Sequence, residues 1–321
     1  MTRKLFSVLL SAFALLLLMG AGVAPQQTAA LLAEEESAAA NHFAALETDV
    51  QSMIMVNGEA VQAAAGAHPL KMAETVDKTL MIDGVYAPDD LGRFQRDGVT
   101  YVALAAMAQA MDDGVQIGWD GAATATVTTE KLTLTATVGE VYVVANGRYL
   151  YVPNGVELVN GRVTVPLAVV AKVFDATIGW DSVTGMVSVN RGSGAIQPGE
   201  SYYHEEDLFW LSRVIYAESG NQPMDGKLAV GNVVMNRVAN SLYPDTIEGV
   251  LAQKNQFSTY KNGKLANRTP NASSVIAAKL VLDGAVLEET RGALYFDSAA
   301  RSWASRNKEC IAIIGGHKFY S

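Results

Sequence analysis

Glu218 is the side chain best placed for proton chemistry. The apolar residues Leu208, Leu211 and Ile215 recur at helical spacing and carry it to the end of an amphipathic helix that starts near Glu205. A carboxyl group there borders the core and loses hydration, so it is expected to titrate above the ordinary range and to be able to donate a proton at neutral pH. The competing reading is structural: a cap on the turn Ser219-Gly220, or an ion pair with Arg213 or Arg237. Three further carboxylates could act with it, Asp225, Asp245 and Asp297. Asp245 has capping-box spacing with Glu248, and Asp225 falls in the first turn of a helix opened by Pro223, where acids suit the dipole. Gln256, Ser258 and Thr259 on a polar loop can bond hydroxyl or amide groups of a ligand. Tyr295, His317 and Tyr320 on β-prone edges can line a groove, and a neutral hairpin histidine explains His317 equally well. Asn236 and Arg237, near a helix end, read as structural, whereas Trp303 either stacks on a ring or packs its own loop.

Several elements must position these groups. After the Glu218 helix, Pro223 opens a second one from Met224 to about Ala239, with Leu228, Val230, Val233, Val234 and Val238 inward. Thr269-Pro270 starts another that Gly284 ends. Two β-prone runs follow, 292–296 and 311–314, the second turning through Gly315-Gly316 into His317-Lys318-Phe319-Tyr320. The expectation is a mainly helical α+β domain with a small antiparallel sheet. Cys310 and His317 flank that turn, but Cys310 leads into an apolar run and reads as a small buried hydrophobe.

Residues 79–191 contain an internal repeat. An offset of 63 aligns Asp83-Gly84 with Asn146-Gly147, Gly98 with Gly161, Val102 with Val165, Leu104 with Leu167 and Ala108 with Ala171. After a two-residue indel near Asp112-Asp113, an offset of 61 aligns Ile117-Gly118-Trp119-Asp120 with Ile178-Gly179-Trp180-Asp181. Each unit reads as strand, Asx-Gly turn, strand, short helix and a strand bearing the Trp-Asp pair, a small α+β domain. Recurrence at matched positions favours Trp119 and Trp180 as core residues over sugar-stacking platforms.

The chain has 321 residues, 50% hydrophobic and 18% charged, enough for about two folded domains. A net charge of −9 argues against nucleic acid as a partner. One cysteine excludes an intramolecular disulfide, and four scattered histidines give no metal-ligand spacing, so neither metal nor cofactor is expected. Arg3 and Lys4 before the apolar run 5–19, with Gly22-Val23-Ala24 after it, have the layout of a secretory signal, so the expected location is the extracytoplasmic envelope, with membrane contact through that segment alone. Residues 201–321 hold 13 basic and 12 acidic residues, against 11 and 21 in 1–200, and the Gly/Ser/Pro stretch between the two suggests a linker. The expected layout is a signal at 1–30, a spacer at 31–78 with a strand near Ile54-Met55-Val56, the repeat domain at 79–191, a linker at 192–205 and a final domain at 206–321.

Val144-Ala145-Asn146-Gly147-Arg148, Val165-Pro166-Leu167 and Gly179-Trp180-Asp181 resemble the copper amine oxidase N-terminal-like repeat of exported bacterial proteins, with Ala168 where that family usually has Arg. The resemblance implies a stalk or envelope-attachment module without catalytic residues. Further on, seven ordered pieces are similar to the SleB-like cell wall hydrolase family: Tyr216-Ala217-Glu218-Ser219, Gly226-Lys227, Val234-Met235-Asn236-Arg237-Val238, Tyr243-Pro244-Asp245-Thr246, Gln256-Phe257-Ser258, Gly292-Ala293-Leu294-Tyr295-Phe296 and Gly316-His317-Lys318-Phe319-Tyr320. Asn221-Gln222 stand where that family often has an acid. This resemblance implies a lysozyme-like fold and a peptidoglycan lytic enzyme that cuts between N-acetylmuramic acid and N-acetylglucosamine. A lytic transglycosylase needs one carboxyl group, Glu218, whereas hydrolysis needs a second about 5 Å away (retaining) or about 6.5–9.5 Å away (inverting). The alternative is a noncatalytic envelope protein that binds peptidoglycan. Vegetative wall or spore cortex as substrate, and the need for an accessory activating protein, stay open at this point.

Overall fold

The structure, a computed structural model, describes residues 76–254 and 256–321. The expected signal, the strand near Ile54 and nearly all of the spacer lie outside the described residues. Among the described residues no helix is long and apolar enough to cross a membrane.

The two repeats complete each other. In the first, β1 (Val76–Ile82) and β2 (Val85–Pro88) form a hairpin, β3 (Phe94–Arg96) and β4 (Val99–Ala103) form another, and α1 (Leu104–Met111), β5 (Gln116–Trp119) and β6 (Thr124–Thr128) follow. An added strand, β7 (Thr133–Thr137), precedes the second copy: β8 (Tyr142–Ala145), β9 (Arg148–Tyr151), β10 (Glu157–Val159), β11 (Arg162–Pro166), α2 (Leu167–Val173), β12 (Thr177–Trp180) and β13 (Val187–Asn190). The sheets run β12-β13-β1-β2, β10-β11-β4-β3 and β5-β6-β7-β8-β9. Each contains strands of both copies, with β1 and β13 parallel and β4 and β11 antiparallel. The Asx-Gly hairpin turns explain the sequence pattern, because Asp83, Asp97, Asn146 and Asn160 all have φ near +50° and are followed by a glycine at φ above +70°. Leu104, Met107, Val127, Leu134, Val165, Val170 and Phe174 fill the shared core.

Trp119 and Trp180 are not in that core, contrary to the expectation from the repeat: they are 48% and 69% exposed. Both stand on edge strands, β5 and β12, on the outward face that they share with Ile117 and Ile178, which are also exposed.

The stretch rich in Gly, Ser and Pro is laid against the repeat domain instead of crossing free solvent. Ile196 is buried, its N–H donating to Val173 O at 2.8 Å, and Gly199 N–H donates to Asn146 O at 2.8 Å. A short helix, α3 (Gly199–Tyr202), leads into the helical domain: α4 (Glu205–Ser219), α5 (Met224–Val238), α6 (Ile247–Ala252), α7 (Ala272–Leu282) and α8 (Ala304–Asn307), with β14 (Tyr295–Asp297), β15 (Cys310–Ile314) and β16 (His317–Tyr320) in the order β14-β16-β15. The architecture is α+β, β-rich first and helical second. Leu211, Ile215, Val230, Val234, Leu251 and Leu280 build the second core, and Tyr142, Tyr149 and Tyr151 of β8 and β9 pack against it. Tyrosine suits such a boundary, with an apolar body and a polar tip.

Asp283, just past α7, fastens the two domains. Its carboxylate accepts Arg148 Nε at 2.9 Å and Nη2 at 2.6 Å, the Tyr203 hydroxyl at 3.1 Å, and an ion pair from Lys172 at 2.7 Å. The Arg148 guanidinium also lies 3.3 Å from the Tyr202 ring centroid. With the Asp283 side chain 1% exposed and that of Arg148 7%, Asp283→Asn should leave a buried cation without its counter-charge and cost about 3 kcal/mol. Urea unfolding of the full chain checks this, and an unchanged midpoint would show that the pair does not hold the domains.

Candidate active site

Four segments converge on Glu218. It sits in the last turn of α4 and is half-buried, with Ser219 fully buried behind it and bonded back to Ile215 O at 2.8 Å. Glu218 Oε1 accepts the Thr259 hydroxyl at 3.0 Å. Thr259 is delivered by the loop after α6, which is pinned on both sides. Phe257 is buried with its ring centroid 6.3 Å from that of Phe296, and Tyr260 donates to Glu248 at 2.9 Å while leaning on Trp210. Glu248 thus holds the loop and does not complete a capping box. The N-cap of α6 is Thr246, whose hydroxyl accepts Gly249 N–H at 3.1 Å; Asp245 lies one residue too early and is exposed.

The third segment is the β15–β16 hairpin. Gln222, just past Glu218, accepts Gly316 N–H at 2.9 Å, which ties the turn after α4 to the turn before His317. Gly315 is required there, since its φ is +57° and a Cβ would run into the Gln222 amide. His317 is buried and stands edge-on to Phe296, centroids 5.5 Å apart. Burial pushes its imidazole below the ordinary 6.5, and the negative charges of Glu218 and Asp297 oppose that shift. A neutral imidazole therefore faces both carboxylates at neutral pH.

The fourth segment, β14, is set by the polar side chains of α5. Asn232 bonds Ala285 O at 2.7 Å and Leu287 N–H at 3.0 Å, Asn236 bonds Ala293 O at 3.0 Å, and Arg237 Nε bonds Leu294 O at 2.7 Å. Asn236 and Arg237 are structural, as their position near the helix end suggested. Arg237 is 4% exposed beneath the rings of Tyr243, Phe257 and Tyr295, and burial lowers its pKa. Tyr243, which sequence reasoning missed because no spacing links it to β14, donates to the Tyr295 hydroxyl at 3.1 Å; burial pushes its own hydroxyl up to about 12. Asp297 accepts Ser302 Oγ at 2.5 Å, Ala299 N–H at 3.2 Å and the Tyr320 hydroxyl at 3.5 Å.

Among the expected site residues, Thr259 and His317 are brought to Glu218, and Asp297 shares His317 with it as a charged neighbour. Tyr295 is half-buried 5.5 Å from the 56%-exposed Trp303, giving an aromatic pair with a face to solvent. Gln256 and Ser258 are exposed on the Thr259 loop. Tyr320, expected along a groove, is 1% exposed and supports the sheet through Asp297 instead. Asp225 faces the repeat domain, where its charge acts on Tyr151. Cys310 is exposed rather than buried, because β15 is an edge strand. It pairs with Tyr320 while His317 pairs with Ile314, so cysteine and histidine lie at opposite ends of the hairpin, roughly 13 Å apart at the usual rise per residue. A Cys-His nucleophile pair is ruled out by that register.

Among the described residues, Arg237 Nη1, Gln253 Oε1, Ser274 Oγ and His317 Nδ1 are buried without a hydrogen-bond partner. Three of these four, Arg237, Gln253 and His317, belong to the segments packed around Glu218. With the folded-state pKa of His317 depressed, the stability gained from its neutral form is complete above 6.5 and is lost as pH falls through the folded value. An NMR titration of the histidine ring signals should show one imidazole titrating below its free value and absent from His317→Gln, and that variant should lose the associated slope of stability against pH. A His317 signal titrating at or above 6.5 would overturn the assignment.

Comparison with known proteins gives both halves a family. The Cell Wall Hydrolase family matches residues 221–320, beginning three residues after Glu218, and the Copper amine oxidase N-terminal domain family matches residues 81–189. A spore cortex-lytic enzyme of Bacillus cereus is 32% identical over 120 residues, 36% of this chain and 45% of the relative; one from Oceanobacillus iheyensis is 28% identical over 144 residues, 40% and 51%. The chain thus spans about half the length of the curated relatives it matches. The solved catalytic domain of the germination-specific lytic transglycosylase SleB from Bacillus anthracis is 29% identical, with 37% of this chain and 97% of that one covered at a TM-score of 0.34. The chain therefore joins a copper amine oxidase N-terminal domain to a C-terminal domain of the SleB-like cell wall hydrolase family.

Proposed function

We propose that this protein is an exported peptidoglycan lytic enzyme that cleaves the bond between N-acetylmuramic acid and N-acetylglucosamine as a lytic transglycosylase, with Glu218 as its acid and base. The observation that carries this reading is the environment of one carboxyl group: half-buried at a helix end, one oxygen held by Thr259, opposite a buried imidazole that is neutral at working pH. Cell wall glycan lies outside the cytoplasm, which agrees with the secretory layout of the first thirty residues.

With Oε1 engaged by Thr259, Oε2 carries the proton to the glycosidic oxygen. The C1–O bond breaks as the leaving sugar takes that proton. The muramic C6 hydroxyl then bonds C1, and its proton returns to the Glu218 carboxylate, leaving a 1,6-anhydro end and the enzyme unchanged. Tyr295 and Trp303 offer ring faces for the sugar, and Gln256 and Ser258 offer hydrogen bonds at the rim. Asp297 already receives three hydrogen bonds, which suits a fixed anion beside the site better than a nucleophile.

Mass spectrometry of fragments released by the full chain from purified sacculi and from cortex-type peptidoglycan tests the reading. Anhydromuropeptides are expected from the parent, with release reduced about 10²–10⁴-fold in Glu218→Gln. Thr259→Val should lower release about tenfold, the value of one charge-assisted hydrogen bond. Reducing ends instead of anhydro ends would replace transglycosylation by hydrolysis and turn attention to Asp297. No fragments from either polymer would leave a glycan-binding protein.

A further inference from the structure

We propose that the segment joining β14 to β15 is a subsite for the carboxylates of the stem peptides borne by muramic acid, with Arg301, Arg306 and Lys308 as its cations and Tyr295 and Trp303 as its ring faces. The ligand rests on the reading above and narrows it to peptide-bearing glycan. Charge sets this segment apart along the sequence. Residues 298–309 hold three basic side chains, Arg301, Arg306 and Lys308, and one acid, Glu309, in a chain whose net charge is −9. Arg301 and Arg306 are exposed and Lys308 is half-buried. Among the described residues none of the three forms an ion pair or a side-chain hydrogen bond, so folding supplies them with no counter-charge.

The fold sets the segment beside Glu218. Asp297, at its start, is the carboxylate that shares His317 with Glu218, and it accepts Ser302 Oγ at 2.5 Å. Ser302 N–H donates to Ser305 Oγ at 2.8 Å, Ser305 N–H donates to Ser302 Oγ at 2.9 Å, and Asn307 Nδ2 donates to Trp303 O at 2.7 Å. Although fastened this closely, the segment leaves the Trp303 indole 56% exposed, 5.5 Å from the Tyr295 ring. Positive charge reaches that ring from two residues. Lys308 Nζ lies 5.1 Å from its centroid, and the guanidinium of the buried Arg237 lies 5.6 Å from it, with Nη1 unpartnered. Asp297 and Glu309 offset part of this charge and leave cations in excess. An aromatic pair edged by cations matches a muramic acid unit, whose pyranose C–H face is apolar and whose lactyl group leads into a peptide with free carboxylates. A neutral sugar would meet the rings and leave the cations unused.

Isothermal titration calorimetry tests the subsite, using the full chain with Glu218→Gln so that the ligand is not consumed. Two tetrasaccharides are compared: alternating N-acetylglucosamine and N-acetylmuramic acid with its stem peptides, and chitotetraose, which has the same rings and acetamido groups and no carboxylate. The peptide-bearing ligand should bind about tenfold tighter at low salt, an advantage that shrinks to about twofold at about 0.5 M salt. Adding Lys308→Gln should weaken that ligand about threefold, and adding Arg301→Gln and Arg306→Gln as well about tenfold, with chitotetraose altered by less than about twofold. Lys308→Arg should restore the affinity. Equal affinity of the parent for the two ligands, binding of neither, a preference that salt does not reduce, or equal loss of both ligands in the variants overturns the subsite. Should the triple variant fail to fold, Lys308→Gln and the salt series decide. Cation-dependent binding with no fragment release by the chain that keeps Glu218 overturns the catalytic reading alone, so the two failures are distinguishable.

Discussion

The ion pair between Asp283 and Arg148 is the contact on which the arrangement of this protein depends. One carboxylate just past α7 receives a guanidinium from β9, an ammonium from α2 and a phenol from the segment that joins the domains. Taking these charges out of water is costly, and the geometry offsets that cost through a two-pronged Arg-carboxylate bond and an aromatic ring over the cation. Tyr142, Tyr149 and Tyr151 then spread the contact over the second core. The repeat domain is consequently a fixed platform for the helical domain, although the composition between them reads as a spacer.

Within the helical domain the same division of labour recurs on a smaller scale. Apolar faces of α4, α5 and α7 build the core, and the polar side chains of α5 reach out of it to hold the segment from Ala285 to Leu294. Gln222 ties the end of α4 to the hairpin that bears His317. Glu218 is thus positioned by contacts that do not touch its carboxyl group, and Thr259 is left as the side chain that does. A site built this way keeps one carboxyl group in a defined setting without enclosing it.

The repeat domain shows how an internal duplication folds into one unit. Each sheet sets adjacent strands of one copy beside adjacent strands of the other, so neither copy has a complete sheet of its own. That interleaving places equivalent residues in inequivalent surroundings, and Trp119 and Trp180 accordingly differ in exposure and in what lies beside them.

Much of this was legible along the chain. Helical spacing located α4 and α5 almost to the residue, Asx-Gly pairs located the hairpins, and seven ordered motifs led to Glu218, because these features depend on neighbours within a few residues or within one repeat. What the tertiary structure alone decided depends on contacts between distant residues. Periodicity cannot say which face of an edge strand meets water, so Trp119, Trp180 and Cys310 were read as buried and are exposed. Capping spacing cannot resolve a single residue, so Thr246 took the place of Asp245. The pairing of Arg148 with Asp283, 135 positions apart, and the junction of Glu218 with Thr259 and His317 exist only once the chain has folded. Local sequence thus determined the elements and the place of Glu218 at a helix end, and long-range packing determined the partners of its carboxyl group, since burial and charge proximity are properties of the folded assembly and not of any stretch of it.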